Sequence, residues 1–266
     1  MKLGIFDSGL GGLLITKAIR EKMPDIDMVY FGDTLHLPYG NRSDDAIYEY
    51  TRQSMDYLFQ QDCKLIIVAC NTASAAALRR LQQTWLKKTW PGRNIIGVVV
   101  PTLETAIERG YKKLGVIGTN YMMRSDVYKE ELQKIDPNVK IIQKATPLLV
   151  PLIENDGMKW AESVLEDYIS PMVKDGIECL ILGCTHYPFL RQQIAKIAPG
   201  VDLISQDDII PEKLQSYLER HPEYNNQIGR NGTLEFHVSD LTENYYKAAR
   251  TIYGADIVVE KAKMAA

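Results

Sequence analysis

The sequence predicts an α/β fold with two pseudosymmetric domains, mainly parallel sheets and an active site in the cleft between the domains. The first observation is that short apolar runs bounded by turn residues alternate with longer amphipathic segments, as in βα units. The second is that similar segments recur about one half-chain apart, which indicates two related halves. The third is that polar residues and cysteines follow the apolar runs, where α/β sheets bind their ligands.

Apolar runs mark the predicted strands in chain order. They are "LGIF", "MVYF", "KLIIVA", "IIGVV", "KLGVIG", "KIIQKA", "CLILG" and "VDLIS". Residues 44–60 have helical spacing, and their predicted inward stripe is Ile47, Tyr50, Thr51, Met55 and Leu58. The segment "LHLPYGNRS" contains Pro, Gly and Asn in quick succession and is predicted to be a loop. Residues beyond about 225 give little structural information.

Three pairs of segments share nearly one spacing. "LGIFDS" and "LGVIGT" begin at Leu3 and Leu114, an offset of 111 residues. "VYFGDT" and "IIQKAT" are offset by 112 residues, and "LIIVACNT" and "CLILGCTH" place Cys70 and Cys184 at an offset of 114. Each match is weak, but the shared spacing predicts that the two halves contribute equivalent strand ends.

Composition and charge narrow the classes of function that the protein could have. The 266 residues are 45% hydrophobic and 24% charged, which is typical of a folded globular protein. A net charge of -3 without a basic block argues against nucleic-acid binding. No apolar run approaches the roughly 20 residues of a membrane span, and no signal-peptide pattern is present. We therefore expect a cytoplasmic protein that acts on a small molecule and binds neither nucleic acid nor membrane.

The four cysteines are Cys63, Cys70, Cys179 and Cys184, and they are expected to stay reduced. Their spacing does not match the closely paired ligands of a structural zinc site, so no metal is expected. Cys179 lies within an apolar run and is predicted to be core, whereas Cys63 precedes its strand and is interpreted as incidental.

Cys70 and Cys184 follow predicted strands and have polar neighbours. Either cysteine alone is open to interpretation as a small buried apolar residue. Cys70 precedes Asn71, Thr72 and an Ala-rich helix, whose amino terminus favours a thiolate. His186 follows Cys184 two residues later and titrates near neutrality, although a plain loop residue is the alternative. Two thiols facing one ligand suggest two acid/base groups.

A further strand end carries "FDSGLGGL". A phosphate loop is not favoured, because neither "G-K-[ST]" nor G-x-G-x-x-G is matched. The glycines instead allow the backbone to approach a small ligand, with Asp7 and Ser8 directed at it. The alternative for Asp7 is a helix cap. Glu154 lies near a turn and is open to a solvated role, and His36, His221 and His237 are interpreted as non-functional.

Four motifs together carry a family resemblance: "FDSGLGGL", "YFGDT" followed by "PYG", "ACNTASA" and "GCTHYP". From residue 3 to about 205 the chain resembles the glutamate racemases of the aspartate/glutamate racemase superfamily. The resemblance implies cofactor-independent interconversion of L- and D-glutamate for peptidoglycan synthesis, no cofactor, and a homodimer. It also implies a first domain of residues 1–97 plus 207–266 and a second domain of residues 98–206.

The resemblance also implies roles for individual residues. Cys70 and Cys184 exchange the α-proton, assisted by Asp7 and His186 respectively, while Glu154 orients His186. In the L to D direction Cys184 is the thiolate and Cys70 the protonated thiol. The implied substrate-binding residues are Asp7, Ser8, Pro38, Tyr39, Gly40, Asn71, Thr72, Thr119, Thr185 and His186.

The chain departs from the family pattern at two places. The loop reads "TLHLPYG", so Leu35 and His36 differ, and Ser205 and Gln206 stand where Asp-Ser is common. Neither change touches the implied catalytic groups. Two other functions stay open on the residues alone: a hydrolase with Cys184 as nucleophile and His186 as base, which leaves Cys70 unused, and a two-lobed amino-acid-binding protein.

Overall fold

The computed structural model describes residues 1–155 and 157–263, which form two fully parallel β-sheets flanked by helices. The six-stranded sheet has the order β10-β9-β2-β1-β3-β4, and the four-stranded sheet has the order β6-β5-β7-β8. The strands are β1 Lys2–Asp7, β2 Met28–Gly32, β3 Cys63–Val68, β4 Asn94–Gly97, β5 Lys113–Gly118, β6 Lys140–Ala145, β7 Cys179–Gly183, β8 Asp202–Ile204, β9 Leu234–Val238 and β10 Val259–Lys261.

Helices connect successive strands. They are α1 Gly12–Lys22, α2 Asp44–Gln60, α3 at residues 71–89, α4 Val99–Glu108, α5 Asn120–Arg124, α6 Val127–Ile135, α7 Leu149–Glu154, α8 Ala161–Lys174, α9 Arg191–Ile197, α10 Gln206–Arg220, α11 Pro222–Asn225 and α12 Glu243–Ile252. Helix α3 includes two π-helical stretches, Ser74–Leu78 and Leu81–Leu86. Short 3₁₀ turns occupy Thr34–His36, Tyr39–Asn41, Met158–Trp160 and Tyr187–Leu190.

The predicted internal repeat is present in the topology. The order β2-β1-β3-β4 in the first sheet matches β6-β5-β7-β8 in the second. Leu3 pairs with Leu65 and Leu114 pairs with Cys179, so the strands that precede Cys70 and Cys184 occupy equivalent places. The register equates Met28 with Ile141, which makes the middle offset one residue longer than the sequence match. The predicted α/β class with two mainly parallel sheets is confirmed.

Most predicted elements form. The differences are one strand end and two strands in the carboxyl-terminal segment. All eight apolar runs contain a strand, and the helix at residues 44–60 has the predicted bounds. The run "IIGVV" is a strand only to Gly97, because Val99 begins α4. Strands β9 and β10 come from the segment whose sequence was uninformative. None of the helices in the described residues is long and apolar enough to span a membrane.

The two sheets share part of their core. One buried cluster includes Ile5 and Leu65 from the first sheet together with Val116 and Ile181 from the second. Two other clusters cover the remaining faces of the individual sheets. Strands of the first sheet come from residues 2–97 and 234–261, and those of the second from residues 113–204. The domain boundaries themselves stay a prediction, and residue 156 and residues 264–266 lie outside the described part.

Candidate active site

A cavity of about 200 Å³ lies where strands from both sheets end. Ser8 follows β1 and Cys70 lies just beyond β3, both in the six-stranded sheet. Thr119 follows β5 and Cys184 follows β7, both in the four-stranded sheet. The predicted site residues that line the cavity are Ser8, Pro38, Tyr39, Gly40, Cys70, Asn71, Thr72, Thr119, Glu154, Cys184, Thr185 and His186. Parallel sheets therefore bring both thiols to one cavity.

Cys70 sits at the amino terminus of helix α3. Its Sγ accepts a hydrogen bond from the Ala73 amide at 3.5 Å and lies 3.4 Å from the Ser8 Oγ. Burial and the nearby charge of Asp7 raise the pKa of Cys70 to about 12, even though the hydrogen bonds from Ser8 and Ala73 oppose this rise. At neutral pH Cys70 is consequently a thiol, and the helix terminus does not produce the thiolate that the sequence favoured.

Cys184 has a different electrostatic environment. Its Sγ lies 3.8 Å from Nδ1 of the buried His186, and Nε2 of the same ring lies 2.9 Å from Oε1 of Glu154. Burial lowers the pKa of His186, but the hydrogen bonds to Cys184 and Glu154 outweigh it and raise the pKa well above its usual value. The imidazole is therefore held in its charged form between a sulfur and a carboxylate.

Asp7 is fully buried, and it organises the loop that follows β1. Its Oδ2 accepts hydrogen bonds from the amides of Gly9 and Gly12 at 2.9 Å and 3.1 Å. Its Oδ1 accepts one from Thr185 Oγ1 at 3.2 Å, so Asp7 links the first sheet to the loop after β7. Asp7 is absent from the cavity lining, and Ser8 is the side chain next to the Cys70 thiol.

Two glycines let the halves of the site approach closely. A Cβ on Gly11 would lie 2.4 Å from Oγ1 of Thr185, and one on Gly40 would lie 2.7 Å from Cβ of Thr119. Both distances are shorter than van der Waals contact. Thr119 also lies 3.1 Å, between Oγ1 atoms, from Thr72. Segments from the two sheets are thus in contact around the cavity.

Several residues at the site were not singled out in the sequence. Asp33, in the quoted "YFGDT", is buried and accepts hydrogen bonds from Tyr39 Oη at 2.6 Å and Ser239 Oγ at 2.7 Å. Thr146 and Tyr187 line the cavity and bond each other at 2.6 Å between hydroxyl oxygens. Thr146 ends "IIQKAT", so the repeat was the available signal for it, and Tyr187 lies in "GCTHYP", a motif of the family resemblance.

The remaining histidines and cysteines lie outside the cavity lining. His36 Nδ1 lies 2.8 Å from Asp33 Oδ2, His237 Nδ1 lies 2.9 Å from the Tyr57 hydroxyl, and His221 Nδ1 lies 2.9 Å from Glu223 Oε1. All four cysteines are free and buried. Across residues 1–155 and 157–263, no cluster of His, Cys, Asp and Glu forms a metal-binding group.

Comparisons with known proteins agree with this geometry. A family model described as Asp/Glu/Hydantoin racemase matches residues 14–209. A curated glutamate racemase of Aquifex aeolicus (strain VF5) is 36% identical over 261 residues, covering 97% of this chain and 96% of that protein. A glutamate racemase structure from Bacillus anthracis aligns with a TM-score of 0.89 at 29% identity, over 99% of this chain and 97% of that one. A Francisella tularensis glutamate racemase, solved in complex with D-glutamate, aligns with a TM-score of 0.87 at 29% identity over 100% and 97%.

Proposed function

The chain belongs to the glutamate racemases of the Asp/Glu racemase family and is an amino-acid racemase, and we propose that it interconverts L- and D-glutamate with two cysteines. The observation that carries the proposal is that Cys70 and Cys184, which follow equivalent strands of different sheets, line one cavity. The Francisella tularensis relative solved with D-glutamate supports glutamate as the substrate.

Inversion at the α-carbon requires two groups. One base removes the proton from one face, and an acid returns a proton to the opposite face. A single group on one face would return the proton to the side from which it came. Two thiols supplied by different sheets meet this requirement, whereas a nucleophilic hydrolase needs only Cys184 and leaves Cys70 without a role.

The two thiols have different electrostatic surroundings. Burial and the charge of Asp7 hold Cys70 as a thiol, because its pKa is raised to about 12. His186 Nδ1 lies 3.8 Å from Cys184 Sγ, so the charged imidazole places a cation beside that sulfur. In the L to D direction the Cys184 thiolate takes the α-proton and the Cys70 thiol donates its own. The reverse reaction uses the same two groups with their roles exchanged.

Stabilising the developing carbanion is the harder task. An α-hydrogen next to a carboxylate is very weakly acidic, so fixed dipoles must offset the negative charge as it forms. The cavity offers hydroxyl and amide groups from Ser8, Asn71, Thr72, Thr119 and Thr185. In the described chain, none of the lining residues is Lys or Arg, so the substrate carboxylates depend on these neutral donors, and the charged His186 contributes its electrostatic field.

Asp7 and the loop at residues 38–40 complete the proposed site. Asp7 acts on Cys70 through its charge and through the loop that places Ser8, and it holds Thr185 by a hydrogen bond. Pro38, Tyr39 and Gly40 form one wall of the cavity. Closure of the two halves around glutamate would exclude water and strengthen each of these electrostatic interactions. The contacts of Gly11 and Gly40 with the second half support such closure.

The proposal extends to the biological role, the cellular location and the oligomeric state. We propose that the product D-glutamate supplies peptidoglycan synthesis and that the protein works in the cytoplasm, where both thiols stay reduced. The family resemblance further favours a homodimer, which sedimentation analysis of the purified chain tests.

The function is tested with L-glutamate in deuterated water and no added cofactor. We expect optical rotation to decay together with incorporation of one deuterium at the α-carbon. Cys70→Ala and Cys184→Ala should each abolish racemisation, because each removes the acid or base of one face. Cys63→Ala and Cys179→Ala are matched controls, since these buried thiols begin the same two strands, and they should retain racemisation.

Each outcome has a definite meaning. Full activity in either Cys70→Ala or Cys184→Ala would refute the two-base assignment. Binding of glutamate without α-deuterium would favour an amino-acid-binding protein, and cleavage of an amide or ester substrate would favour a hydrolase. Loss of activity in both control variants as well would attribute the effect to folding.

A further inference from the structure

A chain of four buried, uncharged side chains ends at Asn71 and Tyr128 beside the cavity. The Thr102 hydroxyl donates to the carbonyl oxygen of Val98 at 2.6 Å, and Gln206 Nε2 donates to Thr102 Oγ1 at 3.4 Å. Asn71 Nδ2 donates to Gln206 Oε1 at 3.3 Å, and the Tyr128 hydroxyl donates to Asn71 Oδ1 at 2.7 Å. All four residues are at most 2% exposed. They come from four different helices.

The direction of this hydrogen-bond chain is set at one end. A backbone carbonyl only accepts, so the single proton of the Thr102 hydroxyl is committed to Val98. Thr102 Oγ1 can then only accept, which requires Gln206 to present its NH₂ group there and its oxygen to Asn71. Asn71 must in turn present Nδ2 to Gln206, and its Oδ1 is left for the Tyr128 proton. A flip of either amide would oppose two donors or two acceptors.

We propose that Thr102, Gln206 and Tyr128 are positioning residues that hold Asn71 as a hydrogen-bond donor to a substrate carboxylate. Asn71 lines the cavity, and its oxygen is occupied by Tyr128. Its Nδ2 carries two hydrogens, and one of them bonds Gln206 Oε1. Among residues 1–155 and 157–263, this oxygen is the one acceptor for Asn71 Nδ2. The other hydrogen remains for a ligand that accepts. The inference rests on the proposed function. It explains why the site binds a carboxylate next to Asn71 in preference to a group that donates hydrogen bonds.

The position of Gln206 deepens this inference. Gln206 begins α10, directly after Ser205, at one of the two places where the chain departs from the family pattern. Its side chain has both a donor and an acceptor, and the hydrogen-bond chain uses both. Of the side chains that carry both groups, Ser and Thr are too short to span the distance that a glutamine spans. This residue therefore transmits the polarity of Thr102 to Asn71.

Thr102→Val tests the proposal, because it is isosteric and lies two links away from Asn71. Without the Thr102 acceptor, Gln206 has no fixed direction and Asn71 loses its committed orientation. We expect the KM for L-glutamate to rise roughly three- to tenfold with kcat changed less than about twofold, as for an interaction made equally in ground and transition states. Thr102→Ser keeps the hydroxyl and should restore the KM. Tyr128→Phe frees Asn71 Oδ1 and should also raise the KM.

Thr105→Val is the matched control. Thr105 lies on the same helix, is also buried, and bonds the carbonyl oxygen of Pro101 at 2.9 Å in the same way, but it does not contact Gln206. It should lose similar thermal stability and keep the wild-type KM. A wild-type KM in Thr102→Val, or equal KM increases in Thr102→Val and Thr105→Val, would overturn the inference. Absence of racemisation in the wild-type chain would instead overturn the proposed function, so the two failures are distinguishable.

Discussion

Glu154→Gln tests the charged state of His186 with a change of almost no volume. The Glu154 carboxylate lies 2.9 Å from His186 Nε2, and its side chain is 24% exposed. An opposite charge at such a distance shifts a pKa by about 1 to 3 units. Removing the Glu154 charge should therefore lower the pKa of His186, and partial exposure of the pair moderates the size of this change.

The sign of the kinetic effect follows from the raised pKa. The charged imidazole beside Cys184 is present at low pH and is lost as pH rises through the His186 pKa. The variant therefore loses it at lower pH, and the alkaline limb of kcat/KM should move to lower pH. The loss of kcat/KM should grow as pH rises past the alkaline limb of the variant and should reach about tenfold above the alkaline limb of the wild type.

Histidine NMR measures the pKa of His186 directly, and the chain has only four histidine signals to assign. Glu223→Gln is the matched control, because Glu223 Oε1 lies 2.9 Å from Nδ1 of the exposed His221. That variant should leave the His186 titration and racemisation unchanged. An unaltered His186 titration in Glu154→Gln would refute the reasoning. A kinetic loss of the same size in Glu223→Gln would refute it as well.

Three further predictions concern the halves of the site, stability and kinetics. Gly11→Ala places a methyl group against Thr185, and overpacking of about 1 to 3 kcal/mol should hold the halves apart and lower kcat/KM about tenfold or more; wild-type kcat/KM would contradict this. Burial raises the pKa of Asp27, but hydrogen bonds from Thr233 and Asn231 lower it to about 2. Asp27→Asn should therefore cost up to about 2 kcal/mol in urea unfolding at pH 7, and the wild type should lose this stability between about pH 4 and pH 2; a pH-independent difference would argue against the depressed pKa. Because enantiomers have equal free energy, kcat/KM must be equal in both directions for the wild type and each variant, and polarimetry from pure L- and pure D-glutamate checks this.

The local spacing of apolar residues was sufficient to predict those helices and strands that bury one face. The spacing of apolar residues at 44–60 predicted helix α2 with its observed bounds, because side-chain burial on a helix follows a period of 3.6 residues. Strands β9 and β10 were missed, since Leu234–Val238 and Val259–Lys261 are short, and each carries charged residues that weaken the apolar pattern. Val99 shows the same limit at an element end, where apolar residues continue from a strand into a helix.

The sequence by itself determined the pairing of Cys70 with Cys184. A repeated order of strand, small residue and cysteine places both thiols at equivalent strand ends, and parallel sheets collect such ends at one edge. Asp7, Ser8 and the "PYG" loop were assigned to the same site by motif. Ser8 and residues 38–40 line the cavity and Asp7 does not, and the roles of these residues stay predictions.

Only the tertiary structure decided how the two thiols differ. The pKa of Cys70 is raised because the fold buries it near Asp7, and the pKa of His186 is raised because the fold sets Cys184 and Glu154 against its ring. The direction of the Asn71 amide likewise depends on Gln206, 135 residues away. Protonation and hydrogen-bond polarity depend on burial and on partners distant in sequence, and no local periodicity encodes either of them.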